Sequence, residues 1–178
     1  VDAAVLLVEQ PAVGARHGQQ LAQLARQPAH IDAGGSDAAI EMLAEFLQLR
    51  GAPASIGSDL EQLFRRVVFN VLTGNGDAHL KNLSFIVSHE GIQLAPHYDL
   101  LSTACYDSRS FDKSGWPEQT TLAWPILGEQ RFANINQALL LDAGAKLNLT
   151  KTTAKRLLDD LRGRIKIGEH TSELQSPD

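Results

Sequence analysis

The period of the apolar positions changes several times along this chain, and each change marks an element. V-D-A-A-V-L-L-V-E-Q-P opens with a β-branched apolar run that predicts a strand, cut from something longer because no methionine starts it. A-R-H-G-Q-Q-L-A-Q-L-A-R-Q predicts a short helix ending near Pro28, and H-I-D-A-G-G-S a loop. Over residues 36–50, Ile40, Leu43, Phe46 and Leu47 recur at helical spacing, with Ser36 as the N-cap and Gly51 and Pro53 as the stop. A second helix is expected from Ser58, with Glu61 completing a capping box. Its apolar residues Leu60, Leu63, Phe64, Val67, Val68, Val71 and Leu72 cover most of the circumference, which places this helix at the centre of the core.

The helical period breaks at T-G-N-G-D-A-H-L-K-N, which reads as a loop. L-S-F-I-V-S and I-Q-L-A-P then flank H-E-G and predict a hairpin that delivers the chain to Tyr98-Asp99-Leu100. Residues 102–119 are polar and poor in aliphatics, a long loop. Helical patterns follow over residues 134–143 and 151–164, the latter with Leu157, Leu158 and Leu161 on one face. The tail E-H-T-S-E-L-Q-S matches the translation of a common sequencing-library adapter. Residues 167–178 are therefore expected to be adapter-derived, and residues 1–166 to form one partial domain.

Composition narrows the class without naming a chemistry. With 178 residues and 43% hydrophobic side chains, one globular domain is expected. A net charge of -5 offers no general attraction for nucleic acid or an anionic membrane, so no direct nucleic-acid binding is expected. No apolar run approaches the ~20 residues of a membrane helix, and the first residues lack the basic start of a signal peptide. The single cysteine, Cys105, excludes an internal disulfide, and a cytoplasmic location is the expectation.

The candidate chemistry lies in the loop after the central helix. Asp77 and Asn82 form D-x-x-x-x-N, the spacing of a protein-kinase catalytic loop, and Asp99 follows the hairpin where a kinase places its metal-binding aspartate. Phosphoryl transfer needs one carboxylate to orient the attacking hydroxyl and accept its proton. It also needs hard oxygen ligands for magnesium. Asp77 suits the first role, and Asn82 with Asp99 the second. Plainer readings stand beside these: Asp77 as an Asx-bonded turn residue, Asn82 as a left-handed turn residue, Asp99 as a cap for the next segment of chain. The scattered histidines and the lone cysteine match no zinc spacing or nucleophilic triad.

F-N-V-L-T-G-N-G-D-A-H-L-K-N-L-S-F followed by L-A-P-H-Y-D-L-L-S-T resembles the C-terminal lobe of the HipA-like serine/threonine toxin kinases, over roughly residues 5–164. The resemblance implies a mainly α, α+β fold: the helical C-lobe of a protein-kinase-like fold, with a β-hairpin between catalytic loop and metal-binding aspartate. It implies Asp77 as catalytic base, Asn82 and Asp99 as magnesium ligands, and His79 and Lys81 as supports of the catalytic loop. ATP is then the phosphoryl donor, a protein serine or threonine the acceptor, and a small DNA-binding antitoxin a candidate partner. Leu7-Val8-Glu9 resembles the family's hinge, with Glu9 and Gln10 as nucleotide contacts, although Q-P-A-V replaces the usual V-E-R-F-D continuation. The family's phosphate loop and ATP-pairing lysine lie upstream of that hinge, so this stretch alone is expected to transfer little or no phosphate. A non-catalytic lobe that docks another protein and a metal-dependent phosphodiesterase are the alternative readings.

Overall fold

The computed structural model describes residues 6–9, 39–106, 117 and 119–165. The helix expected before Pro28, the Ser36 cap, Gln10 and the tail from Ile167 lie outside the described residues.

Strand β1 (Leu6–Glu9) pairs in parallel with β2 (Ser84–Ser88), and β2 pairs antiparallel with β3 (Gly91–Leu94), in the order β1-β2-β3. The β2–β3 hairpin turns at His89-Glu90, as its pattern predicts. Gly91 occupies φ +133°, and a Cβ there would lie 2.8 Å from the Ala52 nitrogen. That closeness lets the Ala52 N–H donate to Ile92 O at 2.9 Å and ties the hairpin to the short link at Gly51-Ala52.

Helices α1 (Ala39–Arg50) and α2 (Ile56–Leu72) precede the hairpin; α3 (Gln137–Lys146) and α4 (Lys151–Arg164) close the described chain. Helix α2 packs against α1, α3, α4 and β3, so the helix with the widest apolar surface is the central one. Phe64 and Val68 on α2, Leu157 and Leu158 on α4 and Leu43 and Leu47 on α1 are at most 1% exposed. Each such side chain contributes about 1.5–3 kcal/mol by leaving water. An edge-to-face pair, Phe46 with Phe85 at 5.1 Å, joins α1 to β2. Ion pairs from Arg65 to Asp160 (2.8 Å) and from Arg156 to Glu61 (3.5 Å) cross between α2 and α4 at the surface.

Two local expectations are corrected, and one hairpin was not foreseen. Helix α2 starts at Ile56 rather than Ser58: the Ser58 hydroxyl donates to Ser55 O at 2.8 Å, and Glu61, engaged with Arg156, closes no capping box. Residues Phe132–Asn134 form a 3-10 turn, and α3 begins only after Asn136, whose side chain accepts the Leu139 N–H at 3.0 Å. Thr120 to Arg131 holds a second hairpin, β4 (Thr121–Ile126) and β5 (Glu129–Arg131), which the apolar pattern did not reveal. Its two turn residues, Leu127 and Gly128, have φ of 50° and 84°. Leucine rarely adopts that conformation, so the turn carries none of the usual Asn-Gly or Asp-Gly signal.

Candidate active site

Helix α2 is apolar on most sides yet buries three polar residues, Asp59, Arg66 and Asn70, none more than 4% exposed. Separations of seven and four residues set them along one face of the helix. Asp59 meets the end of the hairpin, and the other two meet the candidate site. The Asp59 carboxylate accepts the Ser55 hydroxyl at 3.0 Å and the backbone N–H of Leu94, at the end of β3. Burial pushes the Asp59 carboxyl above the usual aspartate range, against the pull of those two donors. Arg66 lies against Tyr98, and Asn70 meets the loop that carries Asp77.

That loop is held from within by Asn75, which is 1% exposed. Its N–H donates to Asn70 O at 2.8 Å, its Nδ2 to Asn70 Oδ1 at 3.3 Å, and its Oδ1 accepts the Asp77 N–H at 3.1 Å. The Asx bond of this turn therefore belongs to Asn75, not Asp77. Outside, the Thr103 hydroxyl donates to Gly74 O and accepts the Gly76 N–H, both at 2.8 Å. The Ser102 hydroxyl donates to Thr73 O at 2.7 Å. From above, the Trp124 indole N–H donates to Ala78 O at 2.9 Å. With its backbone satisfied on three sides, the loop turns the Asp77 carboxylate outward, 61% exposed, with His79 Nε2 at 3.1 Å from Asp77 Oδ1.

Asn82 ends a 3-10 turn, Leu80–Asn82, and is 8% exposed. Its Nδ2 donates to Asp99 Oδ2 at 2.6 Å across 17 residues of intervening hairpin. Asp99 itself has φ 56°, whereas Asn82 is not among the left-handed residues, so the plainer reading of Asn82 as a left-handed turn residue does not hold. The residue before it, Tyr98, shares a 2.8 Å hydroxyl–hydroxyl bond with Ser84, two positions after Asn82. Burial lowers the pKa of Arg66, opposed by the negative character of Tyr98 and Asp99; burial, and next the Arg66 charge, lower that of His97.

The structure thus brings Asn82 and Asp99 into contact and places Asp77 with His79 on the loop five residues before Asn82. Lys81 contributes its backbone to the 3-10 turn. Glu9, by its backbone, pairs with Val87, three positions along β2 from Ser84 and so away from the end of the strand that adjoins Asn82. Among the described residues no three His, Cys, Asp or Glu side chains gather into a metal site of their own. A carboxylate and an amide side by side are nevertheless hard oxygen donors of the kind magnesium accepts while keeping water and phosphate oxygens as its other ligands. The donor set fits that ion. The residues given no site role in the sequence are Arg66, Asn70, Asn75 and Thr103, whereas Trp124, there read as a packing or loop-anchoring residue, does anchor the loop. The signal for Arg66 was a polar type inside an apolar helix and for the two asparagines their place in F-N-V-L-T-G-N; Thr103 had none.

Comparison with known proteins is consistent with this geometry. The family described as HipA-like C-terminal domain matches residues 10–167. Y4mE of Sinorhizobium fredii, which carries the provisional name of a kinase, is 33% identical over 132 residues, 72% of this chain and 30% of its own length. The serine/threonine-protein kinase toxin HipA of Shewanella oneidensis is 43% identical over 47 residues, 26% of this chain and 11% of that protein. In the solved complex of the Shewanella oneidensis toxin–antitoxin system HipA, HipB and its operator DNA, one chain matches with a TM-score of 0.56 at 24% identity. The match covers 88% of this chain and 32% of that one, and shows the same kinase-like fold. The chain spans about a third of the length of Y4mE and of that structural match.

Proposed function

The chain belongs to the HipA-like C-terminal domain family, and from that premise we propose that it is the catalytic and metal-binding lobe of a serine/threonine protein kinase whose full length uses ATP and magnesium. The observation that carries the reading is the 2.6 Å contact between Asn82 and Asp99, which a hairpin closes beside the Asp77 loop. In the full-length protein Asp77 orients the hydroxyl of a protein serine or threonine and takes up its proton. Exposure of the Asp77 carboxylate leaves room for that substrate, and the Asn75 and Trp124 hydrogen bonds fix the backbone on either side of it. His79, 3.1 Å from Asp77 Oδ1, restricts the rotation of the carboxylate. Asn82 and Asp99 would hold magnesium, Lys81 supports the loop, and Glu9 and Gln10 border the nucleotide. Magnesium, when bound, neutralises charge on the ATP phosphates. A toxin role with a DNA-binding antitoxin as partner, in the cytoplasm, completes the proposal; it is supported by the HipA, HipB and operator DNA complex that shares the fold.

The test is phosphate transfer from labelled ATP by the full-length protein. Asp77→Asn is expected to lower the rate about a hundredfold or more, the scale of a lost general base, with an unchanged melting temperature. Transfer at the original rate in that variant rejects the assignment of Asp77. Nucleic-acid cleavage without ATP points to a phosphodiesterase instead.

A further inference from the structure

Arg66 is 3% exposed, in the middle of the central helix, and its Nη2 is buried with no hydrogen-bond partner. A guanidinium in that position loses its water and must be compensated by what packs on it. Its carbon Cζ lies 6.0 Å from the centre of the Tyr98 ring, within the range at which a cation is drawn to an aromatic face. At its other end Tyr98 is fixed by the 2.8 Å bond between its hydroxyl and Ser84 Oγ, and Ser84 is 5% exposed at the start of β2. Tyr98 is therefore gripped at ring and hydroxyl by two different elements. The next residue, Asp99, stands in the left-handed conformation, which aspartate tolerates better than most non-glycine residues but which still costs more than ordinary backbone angles. That conformation accompanies the contact of its carboxylate with Asn82.

We propose that Arg66 and Tyr98 are positioning residues for the metal site: the Arg66–Tyr98–Ser84 bracket holds the backbone before Asp99 so that its carboxylate stays beside Asn82. The inference rests on the reading of Asn82 and Asp99 as magnesium ligands. Without the bracket, Asp99 relaxes to ordinary backbone angles and its carboxylate leaves Asn82, although neither Arg66 nor Tyr98 supplies a ligand.

The experiment measures manganese binding, as a paramagnetic substitute for magnesium, by electron paramagnetic resonance on the full-length protein with a non-hydrolysable ATP analogue. Asp99→Asn is the control: if manganese binding survives it unchanged, the ligand reading itself fails. If that control loses binding, Arg66→Met is expected to weaken manganese affinity about tenfold, the lower end of the effect of removing residues that orient metal ligands. A guanidinium acting only as a nearby positive charge predicts the opposite, tighter binding once it is gone, and a purely structural residue predicts a lower melting temperature with unchanged affinity. Either result overturns the bracket. Should Arg66→Met not fold, Tyr98→Phe decides on the same readout. It keeps the ring but loses the grip on Ser84, so weaker manganese binding supports the proposal and unchanged binding overturns it.

Discussion

The indole nitrogen of Trp124 donates to the carbonyl of Ala78 at 2.9 Å, so the strand β4 holds the peptide between Asp77 and His79 from 46 residues away. Ala78 is 4% exposed, and water has little access to replace the donor. Trp124→Phe is expected to keep most of the packing while leaving that carbonyl unpaired, a loss of about 1–3 kcal/mol of stability. Because the loss falls on the Asp77 loop, phosphate transfer by the full-length protein should drop in kcat with little change in KM for ATP. Denaturant titration and steady-state kinetics check the two parts separately.

Asp59 makes stability depend on pH in a defined sense. Its carboxyl is raised by burial, so the folded chain holds the proton more tightly than the unfolded chain does. The contribution is fully present below the ordinary aspartate value and is lost as pH rises from there through the raised folded value. Asp59→Asn keeps an acceptor for the Leu94 N–H and removes the titration. Melting temperatures followed across mildly acidic pH should fall less steeply with rising pH in the variant than in the parent, and equal slopes would remove Asp59 as the cause.

Gly144, on α3, is approached closely by both α4 and α2. A Cβ at this position would stand 2.7 Å from the Ala154 Cβ on α4 and 3.2 Å from Phe64 Cε2 on α2. Gly144→Ala, although favourable for an isolated helix, is expected to destabilise the fold by about 1–3 kcal/mol through overpacking. Urea unfolding measures it. Gly163→Ala, at a helical position where an added Cβ meets nothing within 4 Å, serves as the comparison that should hold or gain stability.

The local pattern of this chain determined the elements whose signals are local. The α4 helix runs over Lys151–Arg164 as its apolar spacing predicts, the β2–β3 hairpin turns at His89-Glu90, and α2 is central because its wide apolar surface meets α1, α3, α4 and β3. The motif spacing also singled out Asp77, Asn82 and Asp99 as one candidate group. Tertiary structure alone decided how that group is held. The meeting of Asn82 with Asp99, the grip of Trp124 on Ala78 and the bracket of Arg66 on Tyr98 join residues 17, 46 and 32 positions apart (98 − 66 = 32 for the last). No periodicity connects such positions. Their partners are chosen by which polar atoms find themselves buried together once the apolar faces have packed, and a buried polar atom without a partner is costly enough to select among the arrangements. The left-handed backbone of Leu127 belongs to the same class of result, since a leucine does not ask for it and the β4–β5 turn imposes it, whereas Asp99 is of a type that tolerates it.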